Sequence, residues 1–95
     1  MSDQISMAQR YQPHDAAVEN QSGTLTVLMH LNSGVVFRLD PVGAHIWALI
    51  CEGGTCGEEI CAVFRREYSG IGDELEGDIR AFLSQLSRRN LIVED

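Results

Sequence analysis

Leu39-Asp40-Pro41-Val42-Gly43-Ala44-His45-Ile46-Trp47 is the stretch on which the fold turns. Up to Leu39 the residues alternate as a strand does, and from Pro41 they repeat as a helix does. Asp40 carries a short carboxylate that can accept from the open amides of a first helical turn. Pro41 fits the first helical position, where no amide hydrogen is needed. The stretch therefore reads as a junction between a strand and a helix.

Upstream of it, Leu25, Val27, Met29 and Leu31 alternate with Thr24, Thr26, Leu28 and His30. This is a second strand, and its first set, richer in apolar groups, is expected to face the core. Asn32-Ser33-Gly34 supplies residues that tolerate positive φ in a hairpin turn. A third strand follows over Val35–Leu39, with Val35, Phe37 and Leu39 on one face. Ala16–Asn20 reads as a short first strand before the turn-like Gln21-Ser22-Gly23. Residues 1–12 are polar, with isolated Ile5 and Met7, and are expected to form a flexible N-terminal tail ahead of a single domain over 13–95.

Downstream, the first helix has Val42, Ile46, Leu49 and Ile50 at helical spacing with Trp47 beside them, and Gly53-Gly54 ends it. Thr55-Cys56-Gly57-Glu58 matches a capping box opening a second helix, whose stripe is Ile60, Val63, Phe64 and Tyr68. Ser69–Gly72 is a loop. A third helix from about Asp73 to Arg89 carries Leu75, Ile79, Phe82, Leu83 and Leu86. Acids at its start and Arg88-Arg89 at its end complement the helix dipole. Asn90 suits a left-handed cap, and Leu91-Ile92-Val93 packs back as an extended segment. The pattern predicts an α+β fold: a three-stranded antiparallel sheet followed by a three-helix bundle that covers one sheet face.

The formal charge is −7, no lysine is present, and seven basic residues face fourteen acids. Phosphate neutralisation by Lys and Arg is thus unsupported, and nucleic acid is not expected as a partner. Three helices and a terminal strand resemble a winged helix, but the acids of the third helix would have to approach phosphates. Basic peptides or protein faces fit better. No apolar run is long enough to cross a bilayer and no signal peptide is evident, which implies a cytoplasmic protein. Cys51, Cys56 and Cys61 with His45 lack the short cysteine pairs of common zinc sites and read as small apolar gap-fillers. His14, His30 and His45 fall in no nucleophile motif, and Cys51 lies six residues from His45 on another side of one helix. No glycine-rich phosphate loop is present. The composition points to a protein without catalysis, metal or cofactor. Its distinctive feature is the third strand, short and largely apolar, which ends the sheet on a free edge where an extended peptide can add as a further strand. The alternative is that the N-terminal arm or a second copy covers that edge.

Leu31-Asn32, Gly34, Phe37, Leu39-Asp40, Gly43-Ala44, Ile46-Trp47, Leu49, Gly53, Thr55, Ile60, Tyr68, Asp78, Phe82-Leu83, Leu86 and Asn90-Leu91-Ile92 together resemble the PqqD family, the peptide chaperones also called RiPP recognition elements. The resemblance covers about three quarters of the chain. It departs at Asn90, where the family usually has Gly, and at Asp40, where Asn is frequent; both keep the capping chemistry. The resemblance implies that the leader of a ribosomally made precursor binds as a strand against the third strand, in a groove shared with the third helix. Val35, Val36, Phe37, Arg38 and Leu39 would supply the ladder, Ile79, Phe82 and Gln85 would line the groove, and Asp78 would meet a basic or polar leader residue. A chain of this size looks most like the leader-binding half of a split lasso-peptide maturation protein, partnered by a separate leader peptidase and then a cyclase. In that subfamily the leader often carries Tyr-x-x-Pro, which would want an apolar pocket near the strand. A peptide chaperone for a radical-enzyme or pyrroloquinoline quinone pathway is the alternative.

Overall fold

The computed structural model of the chain describes residues 5–95. Its elements run β1 (Arg10–Pro13), β2 (Ala17–Ser22), β3 (Leu25–His30), β4 (Val36–Leu39), α1 (Pro41–Cys51), β5 (Thr55–Cys56), α2 (Gly57–Glu67), α3 (Leu75–Arg88) and β6 (Ile92–Glu94). The fold is α+β, with two three-stranded antiparallel sheets, ordered β2-β3-β4 and β5-β1-β6, and three helices. The first sheet is the predicted one. Its β2–β3 turn is tighter than expected, since Ser22 pairs directly with Leu25 across Gly23-Thr24, with Gly23 at φ 64°.

The strand-to-helix junction forms as its residues dictate. Asp40 is extended, and its Oδ1 accepts from the Gly43 amide at 2.7 Å. Asp40→Ala should lower stability by about 1 kcal/mol, read as a lower urea midpoint with an unchanged slope. At the far end of α3, Asn90 takes φ 59°, and the Leu91 amide reaches back to the Leu86 carbonyl at 2.9 Å. This closure turns the chain so that Leu91 and Ile92 bury and β6 forms.

The second sheet corrects the reading of residues 1–12 as a flexible tail. Residues 1–4 lie outside the described part. From Met7 onward the arm is built in: Met7 and Tyr11 are buried, and β1 lies between β5 and β6. Arg10 ties it down, pairing with Glu59 and donating to the Gly54 carbonyl at 2.8 Å. The arm also replaces the expected capping box. The N-cap of α2 is Cys56, without a side-chain cap bond. The Glu58 amide donates instead to the Met7 carbonyl at 3.0 Å, and Thr55 Oγ1 donates to Glu59 Oε1 at 3.1 Å.

A second correction concerns β3. Its buried face carries Thr26, Leu28 and His30, while Leu25 and Met29 are exposed. Leu28, fully buried, faces the helices opposite Phe37. His30 is tolerated inside because its Nδ1 accepts from the Asn32 and Ser33 amides, both at 3.2 Å, so its polar demand closes the hairpin turn. The more apolar set lies outward, where Val18, Met29 and Val36 stand side by side across the three strands. In α1 the buried face is Gly43, Ile46, Trp47 and Ile50, which leaves Val42 exposed. Leu28, Leu39, Ile46, Ile50, Ile60, Phe64, Ile79, Leu83, Leu86 and Leu91 share one core.

Candidate peptide-binding groove

β4 is an edge of its sheet, and among the described residues no strand pairs with its outer side. β1 does not cover it, being paired with β5 and β6 in the other sheet. His30 donates to the Val35 carbonyl at 2.9 Å. In an antiparallel ladder such bonded positions recur every second residue. Phe37 and Leu39 therefore turn their main-chain groups toward β3, and Val36 and Arg38 turn theirs outward. The opposite edge, β2, is exposed and polar over Glu19-Asn20-Gln21-Ser22, the composition that discourages strand addition.

Beside the open edge runs a groove of about 840 Å³ between β4, α1 and α3. Of the residues expected at the site, Phe37, Arg38, Leu39, Asp78, Ile79, Phe82 and Gln85 line it. Val36 projects onto the outer sheet face, 55% exposed, and contributes main chain alone. Val35 lies before β4 with its carbonyl already taken by His30. Ile79 is the buried floor. Phe82 meets Phe37 edge to face, with ring centroids 6.1 Å apart. Gly43 makes room for it: a Cβ there would stand 3.2 Å from the Phe82 ring and from Asp40 Oδ1.

The groove continues into an apolar end formed by Val42, Ile46, Phe64, Tyr68, Ile71 and Leu75. Val42 and Ile71 are exposed large hydrophobics whose position is explained by this lining. Tyr68 is held by a 2.8 Å hydrogen bond between its hydroxyl and His45 Nδ1, and its ring stacks on Phe64 at 5.1 Å. Val42, expected from its helical spacing to share the buried stripe of Ile46, Leu49 and Ile50, is instead 52% exposed and lines this end.

Other chemistry is scarce. Among the described residues no three His, Cys, Asp or Glu side chains come together to hold a metal. Burial pushes the Cys61 thiol up, and desolvation followed by the Glu19 and Glu52 carboxylates does the same at Cys51, so neither favours the reactive thiolate. His14 Nδ1 accepts from the Ala16 amide at 2.9 Å, leaving each histidine engaged in local structure. No helix of the described residues is long and apolar enough to cross a membrane.

The family model for coenzyme PQQ synthesis protein D (PqqD) matches residues 26–92, from β3 to β6. The chain belongs to the PqqD family. Two solved structures resemble this PqqD-family chain. One is TbiB1 in complex with the TbiA(beta) leader peptide, 38% identical, with 85% of this chain and 93% of that one covered at a TM-score of 0.74. The other is a lasso peptide synthetase B1 complexed with the leader peptide, 19% identical, with 87% and 96% covered at a TM-score of 0.74; it shares the fold. No curated protein matches the sequence.

Proposed function

We propose that this chain binds the leader region of a ribosomally made precursor peptide by strand addition to β4, and presents it to a separate maturation enzyme of lasso peptide biosynthesis, a leader peptidase followed by a cyclase. The observation that carries the reading is the outward main-chain row of Val36 and Arg38 above an apolar groove. The likeness to TbiB1, solved with a leader peptide, supports it. Main-chain bonds to the edge would give affinity, while the groove would select side chains. Ordering a flexible leader costs entropy, yet strand addition with one or two filled pockets suits affinities of roughly −8 to −12 kcal/mol. Holding the leader beside the enzyme raises its effective concentration there, so the carrier needs no catalysis of its own.

Amide NMR titration with the TbiA(beta) leader peptide tests this. The largest shifts are expected at Val36–Leu39 and along α3 from Asp78 to Gln85. Shifts confined to β2, or to Cys51, Cys56 and Cys61, would overturn it.

A further inference from the structure

The face that α3 turns to the groove is charged in opposite senses at its two ends. Asp78, Phe82, Gln85 and Arg89 follow at spacings of four, three and four, one stripe of a helix, with Arg89 as the C-cap. At the first end Asp78 lines the groove with Asp40, and neither carboxylate has a cationic partner among the described residues. At the other end the Arg89 guanidinium lies over the Phe37 ring, 5.0 Å from its centroid. One of its nitrogens donates to the Gln85 carbonyl at 3.3 Å. Among the described residues it has no carboxylate partner, and a guanidinium keeps further donors for one. The ring contacts give the direction of the groove. Phe37, near the start of β4, lies under Arg89, whereas Asp40, just past its end, lies with Gly43 and Phe82.

We infer that the groove reads the direction of its peptide by charge: a basic side chain toward Asp78 and Asp40, and an acidic one toward Arg89. The inference rests on the leader-binding reading and adds the chemistry of its ligand. Every pair in the β2-β3-β4 sheet is antiparallel, and an added strand that continues the pattern runs from the Asp40 end toward Val36. The basic residue then precedes the acidic one in the peptide. From Asp78 to Arg89 the helix rises about 16 Å, at roughly 1.5 Å per residue. An extended chain crosses that in about five residues, and alternate side chains share a face, so the two charges stand about four or six positions apart.

The test is an array of TbiA(beta) leader peptides. Every pair of positions four or six apart is replaced by Lys then Glu, or by Glu then Lys, and the array is probed with the labelled full chain. At the productive register Lys-then-Glu should bind about tenfold more tightly than Glu-then-Lys. The D78R/R89E variant should reverse that preference, and Asp78→Arg alone, which leaves the Arg89–Phe37 contact untouched, should erase it. Equal binding of the two orders at every register, or a preference indifferent to these substitutions, overturns the charge reading and leaves leader binding standing. Failure of every peptide to bind, the unaltered leader included, removes both.

Discussion

Arg38→Pro is expected to weaken binding of the TbiA(beta) leader peptide by roughly 30- to 100-fold, about 2–3 kcal/mol, while the protein stays folded. Arg38 pairs in register with Val27, but its own amide and carbonyl face away from β3. Proline removes that outward donor and sets a ring where the incoming strand must lie. The peptide carbonyl that would have accepted is left unpaired in a partly desolvated groove, which costs more than the bond contributed. Because the lost amide serves no bond within the sheet, proline is tolerated there as on other edge strands. Phe37→Pro is the counterpart: its amide faces Leu28, so that change should destabilise the sheet itself. Titration calorimetry, with circular dichroism as the folding check, reads both. A folded Arg38→Pro protein with undiminished affinity would remove β4 from the binding site.

The sequence exposed most of this arrangement because several of its signals are local. Asp40-Pro41 opens a helix whatever surrounds it, Asn32-Ser33-Gly34 tightens a hairpin, and Asn90 supplies the left-handed turn after α3. What depends on distant partners was not legible. The alternation of β3 was clear, but period two alone does not say which set faces inward. Leu28 decides it by meeting Phe37 across the sheet, and His30 buries because the turn that follows supplies its donors. The capping box at Thr55 was a sound local motif that lost to a non-local donor–acceptor pair, the Glu58 amide with Met7.

The groove divides in the same way. Asp78, Phe82 and Gln85 lie on one stripe of a strongly periodic helix, and they line one wall of the groove together. The apolar end at Val42, Tyr68 and Ile71 gathers residues from a helix start, a helix end and a loop. No period links them.

Tyr11→Ala should cost about 3–5 kcal/mol of stability. In a chain of 95 residues, 3 kcal/mol corresponds to a fall in Tm of roughly 12–24 °C. Tyr11 is 4% exposed and pairs with Thr55 on one side and Glu94 on the other. Truncating it opens a cavity at the point where the second sheet meets the helical core. The same change should leave the affinity of the folded protein for the TbiA(beta) leader peptide within about twofold, since β1 shares no strand pairing with β4. Thermal unfolding and calorimetry on the one variant separate the two quantities. A loss below 1 kcal/mol would mean that the arm adds little to the fold. A loss of affinity in the folded variant would mean that the two sheets are energetically coupled, and that the arm, although far from the open edge, helps to hold β4 and α3 at the spacing a guest strand requires.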